Sequence, residues 1–207
     1  MTSKEMLSEI VNEVESVLLE KGFTRRGSQN SFIRKNKEDY KREEHIDFDA
    51  RASRSEPSAI YISCSVGLYY PTVRKVYKSL IGDHLSKYPI IAGSIGHFSP
   101  QRNYFSLYYK HNFNKTEVIA ETKKHIVEGA LSLIDTFPHL KSIYEGIKTK
   151  HEFLYEFYQE NLRENIIIEI IAIIYVLEGK QKASEWLNCN LERNKGTEFI
   201  FQNMSNL

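Results

Sequence analysis

The chain has 207 residues, 41% of them hydrophobic and 27% charged, with a formal net charge of +1. That balance supplies a core for one sizeable domain, or a domain with a small appendage, and excludes a disordered chain. The charge is uneven, at −4 over residues 1–20, +9 over 21–150 and −4 over 151–207. A basic middle between acidic ends marks either a polyanion site or a surface neutralised by the ends folding back, and the interleaving of acids among the bases favours the second.

Thirteen tyrosines outnumber every other aromatic type, which suits half-buried or interfacial positions more than a dry interior. Two distant cysteines, Cys64 and Cys189, do not make a stapled secreted scaffold. The segment Met1–Glu5 starts an amphipathic helix and lacks the apolar stretch of a secretion signal. The longest apolar run, Ile166 to Leu177, contains Glu169 and is too short to span a bilayer. A cytoplasmic setting is the expectation.

In chain order, Thr2 and Glu5 have capping-box spacing, and Met6, Leu7, Ile10, Val11, Val14, Val17 and Leu18 recur at helical intervals. They predict a helix over about residues 4–21, closed by Gly22. The period then changes to two, and segments 30–36, 44–52 and 59–70 read as strands. In the second, Ile46, Phe48 and Ala50 alternate with Asp47, Asp49 and Arg51; in the third, Ile60, Ile62, Cys64, Val66 and Leu68 alternate with Tyr61, Ser63, Ser65, Gly67 and Tyr69. An antiparallel sheet with one packed and one wet face produces this pattern.

Pro71 stops the third strand, and a short helix is expected near 72–81. The glycine-broken stretch from Pro89 to Phe98 predicts a bent strand or structured loop, and 103–110 a further strand. Asn114 and Glu117 open a helix that runs to about 135, and Pro138 opens a shorter one. The remainder reads as helical: an aromatic segment over 151–160 (Phe153, Tyr155, Phe157, Tyr158), a helix capped within 161–164 and running to Leu177, then Gly179 and a partner helix over 180–193. That pair resembles a single tetratricopeptide-type hairpin without a second copy. The expected fold is α+β: an antiparallel sheet of four to five strands with helices on one face over residues 1–149, and a helical extension over 150–207.

The element order, with Gly22-Phe23, Phe32-Ile33-Arg34-Lys35, Val66-Gly67-Leu68-Tyr69-Tyr70-Pro71, Ser94-Ile95-Gly96 and Phe137-Pro138-His139-Leu140, resembles an uncharacterised bacterial domain family. That family is the domain of unknown function 4304, and the resemblance covers roughly residues 4–145. The resemblance implies a fold and a bacterial setting with no established activity; small proteins of this general build are associated with toxin–immunity loci.

Several constellations carry potential chemistry. His45-x-Asp47-x-Asp49 shares one strand face, yet Tyr and Ser on the neighbouring strands are poor co-ligands for a divalent ion, so a solvated charged face is expected and no metal or cofactor. Ser63 or Ser65 with His45 and Asp47 lacks the turn or helix N-terminus that supplies an oxyanion hole. Gly93-Ser94-Ile95-Gly96 lacks the Lys-Ser/Thr of a phosphate loop and reads as a bulge or close contact. His97 and His139 read as core or edge histidines, Cys64 as a small core residue, and Trp186 as a packing anchor. No catalytic residue is assigned.

The residual signal is the wet sheet face, where Asp47, Asp49, Arg51, Tyr61, Ser63, Tyr69, Tyr104 and Tyr108 are expected to bind a partner. Tyrosine gives rigid amphipathic contact area and serine adaptable hydrogen bonds. The expected function is a non-enzymatic protein-binding module, an immunity protein that occludes a toxin's active site. The alternative is nucleic-acid binding through Arg25, Arg26, Arg34, Lys35, Lys37, Lys41, Arg42 and the sheet tyrosines.

Overall fold

The computed structural model describes residues 1–27, 30–81, 89–154, 164–190 and 198–205. The elements in chain order are α1 (Ser3–Glu20), β1 (Thr24–Arg25), β2 (Ser31–Asn36), β3 (Arg42–Ala52), β4 (Ala59–Tyr69) and α2 (Pro71–Ile81). They continue with β5 (Ile91–Ser94), β6 (Ser106–Lys110), α3 (Lys115–His125), α4 (Ser132–Thr136), α5 (Leu140–Thr149), α6 (Glu164–Glu178), α7 (Lys180–Asn190) and α8 (Glu198–Ser205). The protein is α+β: one antiparallel sheet with helices, followed by C-terminal helices. The sheet has six strands rather than four or five. The extra one, β1, is two residues long, too short for any alternation to register.

Two compact units are present, and each is discontinuous in sequence. The first comprises residues 1–35, 43–68 and 91–136, the second 36–42, 69–90 and 137–207.

In the first unit, α1 starts as its capping box requires: the Glu5 amide donates to Thr2 Oγ1 (3.3 Å) and the Thr2 amide to Glu5 Oε2 (2.7 Å). It ends at Gly22, whose φ of +80° lets the Phe23 amide reach the Leu18 carbonyl (3.1 Å) and the Gly22 amide the Leu19 carbonyl (2.9 Å). The strands run in the order β1-β2-β3-β4-β5, and β6 also pairs with β4. β4 is therefore central. Its first half pairs with β6 (Ile60 with Tyr109, Ile62 with Leu107) and its second half with β5 (Val66 with Gly93, Leu68 with Ile91). Ile46, Phe48, Ile60, Ile62, Cys64, Val66, Leu68 and Tyr109 are buried with Ile10, Val11, Val14 and Leu18 of α1. The period-two expectation for β3, β4 and β6 is what the burial follows.

The glycine-broken stretch is β5 followed by a 3₁₀ turn, Ile95–Phe98. Between α3 and α4 the helix widens into a π turn, Ile126–Leu131. Gly129 in that turn lies against the Ile95 carbonyl, where an added Cβ would sit 2.1 Å from the oxygen. Gly96 meets the Asn103 carbonyl in the same way, at 2.2 Å. These glycines are close-packing sites between backbones.

Apart from the connection over 36–42, the described elements of the second unit are mainly helices. α6 packs on α2, α5 and α7, and α8 on α2. Gly179, at φ +89°, separates α6 from α7, so a hairpin forms where the sequence predicts one. Ile167, Ile168, Ile170, Ile171, Ile173 and Ile174 of α6 are buried with Val73, Tyr77, Leu80, Leu140, Ile143, Ala183 and Leu187. Trp186 is half-buried. Among the described residues no helix is long and apolar enough to cross a membrane. The expected caps over 161–163, the aromatic Tyr155, Phe157 and Tyr158, and the end of the last predicted helix over 191–193 lie outside the described residues.

Candidate partner-binding face

The register of three strands builds the outer face of the sheet in the first unit. The Ser53 amide donates to the Ala59 carbonyl (3.0 Å) and closes the β3–β4 connection. Arg51 then lies beside Tyr61, its guanidinium 5.9 Å from the ring centroid. Steps of two along both strands place Asp49 beside Ser63 and Asp47 beside Ser65. On the other side of β4, Tyr61 is the direct partner of Tyr108, and Ser63 of Ser106. The two phenol rings meet at 5.5 Å with an interplanar angle of 60°, an edge-to-face contact in the favoured range. One transverse row is thus Arg51–Tyr61–Tyr108, and the next is Asp49–Ser63–Ser106.

The aromatic row is pinned at its far end. The Tyr108 hydroxyl donates to Glu56 Oε2 (2.7 Å), and Lys110 Nζ lies 2.5 Å from Glu56 Oε1. These bonds, from Lys110 first and then Tyr108, hold the Glu56 carboxyl below its ordinary pKa, and accepting the hydrogen bond from Tyr108 raises that phenol's pKa in turn. Tyr61 and Tyr108 keep 38% and 37% of their surface exposed, and Phe113, with Lys110 Nζ 5.8 Å from its ring, keeps 80%. Neither Glu56, Lys110 nor Phe113 was expected here; the signals in the sequence were Lys110 two residues beyond Tyr108 in the same predicted strand and an isolated Phe in the polar segment 111–115.

Two expected members of the face fall elsewhere. Tyr104 is not on β6, which begins at Ser106 because the Phe105 amide is taken by Ser94 Oγ (2.7 Å) instead of continuing the ladder. It stands 63% exposed in the preceding loop, its ring 6.1 Å from that of His97. Tyr69 is the last residue of β4, half-buried, and belongs to the second unit. Asp47 is also half-buried and accepts the Ser31 hydroxyl, while Asp49 is exposed.

The reactive alternatives find no geometry. His45 Nε2 is engaged with Glu43 Oε2 at 3.3 Å, and Asp47 with Ser31, so neither is arranged to activate Ser63 or Ser65. Among the described residues no group of three His, Cys, Asp or Glu could hold a metal ion. Cys64 is buried, and desolvation, helped by the nearby Asp47 charge, holds its thiol well above the ordinary pKa, which removes it from thiolate chemistry. A surface depression bordered by Ser3, Lys4, Asn30 and Asp49 brings one ammonium and one carboxylate, with no nucleophile–base pair.

Much of the basic run is consumed internally. Arg25 donates to Asn12 Oδ1 (2.6 Å) and Glu15 Oε2 (3.1 Å), and Arg34 binds Glu44 and the Lys21 carbonyl. Lys35 pairs with Glu43 (2.8 Å), and Arg42 is buried with Nη1 on the Phe137 carbonyl (2.6 Å). Arg26, Lys37 and Lys41 remain exposed.

No family model, no curated protein and no solved structure matches the chain. The chemistry of the face itself therefore carries the functional reading.

Proposed function

We propose that the protein is a non-catalytic binding module that seats another protein on the outer face of β3, β4 and β6, as an immunity protein does when it covers a toxin's active site. The row Arg51–Tyr61–Tyr108, exposed and already in mutual contact, carries this reading. Arg and Tyr dominate binding hot spots because they bury large area through few rotatable bonds. Here the cation–π contact, the ring pair and the Tyr108–Glu56 bond fix the rotamers before any partner arrives, so less entropy is lost on docking. The engagement of Arg25, Arg34 and Arg42 by the protein's own groups, with Lys35 paired to Glu43 at the surface, leaves fewer cations of this run for a phosphate backbone.

The test is capture of partners on the full-length protein from lysate of the producing cells, with and without nuclease, against a Tyr61→Ala/Tyr108→Ala variant. Both side chains are exposed, so the variant keeps its fold. Its partner's Kd is expected to rise at least ~30-fold, the loss of about one hot spot. Disappearance of every partner on nuclease treatment, or equal affinity of the variant, overturns the proposal.

A further inference from the structure

The connection between β2 and β3 belongs to the second unit and is built unlike an ordinary surface turn. Asn36 Oδ1 accepts the amides of Glu38 (3.0 Å) and Asp39 (3.4 Å), and the Arg42 amide closes onto the Asp39 carbonyl (2.8 Å). The two residues between, Tyr40 and Lys41, have φ of 50° and 60°. Two consecutive positive φ values are the arrangement of a type I′ turn, for which Asn-Gly is the favoured pair because any larger side chain is strained there. Among the described residues no other two adjacent non-glycine residues share this conformation.

The strain is held in place by three anchors. Asp39, buried, accepts the Leu140 amide at the start of α5 (3.3 Å). Arg42, buried, donates to the Phe137 carbonyl (2.6 Å) and lies 6.0 Å from the Tyr70 ring centroid. The Thr72 hydroxyl donates to the Tyr40 carbonyl (3.0 Å). What the anchors hold outward is chemically specific: Tyr40, 36% exposed, with Lys37, Glu38 and Lys41 exposed around it. A strained pair kept by buried supports, where two commonplace residues would relieve the strain, points from the outlier to recognition.

We infer that the Tyr40–Lys41 turn is a preformed recognition element that inserts into a pocket of a partner protein, the phenol against apolar walls and the Lys41 ammonium against carboxylates. A protein pocket fits better than nucleic acid, because Glu38 shares the tip with two lysines and the adjacent Arg42 is sealed inside; so small a positive excess releases few counterions. This element is separate from the tyrosine face and does not depend on it.

Two measurements on the full-length protein test it. Lys41→Gly is expected to melt higher than Lys41→Ala by roughly 2–4 °C, since only glycine relieves a positive φ at an exposed site. An alanine variant equal to or above the glycine one means the turn stores no strain, and the inference falls. In the second, photoreactive benzoylphenylalanine replaces Tyr40 in one strain of the producing cells and Tyr61 in another. A protein adduct at position 40, whose purified form loses at least ~10-fold in affinity with Lys41→Glu, is the expected result. Adducts at 61 alone overturn this inference and leave the sheet proposal standing, and adducts at 40 alone do the reverse. Nuclease-sensitive adducts at 40, no adduct at either position, or an affinity unmoved by Lys41→Glu overturns it.

Discussion

Replacing Glu169 by Gln isolates one buried charge and predicts a pH dependence with a definite sign. Glu169 lies within the apolar face of α6 and is 8% exposed. Its Oε2 accepts from Arg74 Nη1 at 2.6 Å, but Oε1 is buried without a hydrogen-bond partner among the described residues. Desolvation outweighs the attraction and hydrogen bond of Arg74, and the carboxyl is pushed up to about 7 from an ordinary 4.5. The folded protein thus binds this proton more tightly than the unfolded chain. The stability it confers is fully present below pH 4.5 and is lost as pH rises through 7. At about 1.4 kcal/mol per pKa unit the loss is about 3 kcal/mol. Glutamine mimics the protonated acid and does not titrate. The assay is urea unfolding of both proteins between pH 4.5 and 8.5, followed by fluorescence of Trp186, the single tryptophan, on α7 against α6. The variant's stability relative to wild type should rise by about 3 kcal/mol across that range. Other carboxyls titrate alike in both proteins and cancel. A flat difference, or one that falls with pH, means that Arg74 stabilises the ionised form, and the reasoning is wrong.

Gly129→Ala would place a methyl 2.1 Å from the Ile95 carbonyl oxygen, so backbone must move. A loss of roughly 3 kcal/mol is expected in chemical denaturation, and a loss under ~0.5 kcal/mol would show that the π turn yields freely. Asn114→Ala removes the side-chain oxygen that accepts the Lys110 amide (3.0 Å) and the side-chain nitrogen that donates to the Tyr108 carbonyl (2.8 Å). Hydrogen exchange at the Lys110 amide should accelerate at least ~5-fold, corresponding to a bond worth about 1 kcal/mol, and unchanged protection would refute the clamp.

The fold was legible wherever one period ran long enough. Thr2 with Glu5 and the apolar stripe through Leu18 set α1 to within a residue at each end, and the alternation through Ile60–Leu68 set both faces of β4. Local hydrogen bonds decided the rest. Residues 103–105 read as strand, but the Ser94 hydroxyl claims the Phe105 amide and β6 starts only at Ser106. A linear cut at residue 149 is natural from composition, yet α2 and the turn over 36–42 join the C-terminal helices. Arg74, Asp39 and Arg42 make that union, each reading as an ordinary surface charge until its partner, Glu169, Leu140 or Phe137, is found about a hundred residues away. Of the candidate face, Arg51, Tyr61, Ser63 and Tyr108 were legible from period two alone. Glu56 was not, because it lies in the connection between β3 and β4, where no period runs, and so its ion pair with Lys110 was not legible either.

That face exists only while β6 keeps its register on β4, since a slip of one residue would turn Tyr108 inward and offer Tyr109 to solvent. Tyr109 resists such a slip, buried with its hydroxyl on Glu9 of α1 (2.6 Å). The strand is also gripped at both ends. Ser94 Oγ holds the Phe105 amide before it begins, and the Asn114 amide, spanning the Tyr108 carbonyl and the Lys110 amide, replaces a peptide unit of a further strand where it ends. The same two bonds occupy an edge that would otherwise invite pairing with another chain. Residues that read as part of a bulge and as a helix start, Ser94 and Asn114, therefore fix which aromatic rings face outward. Any partner that reads Tyr61 and Tyr108 depends on side chains it does not touch.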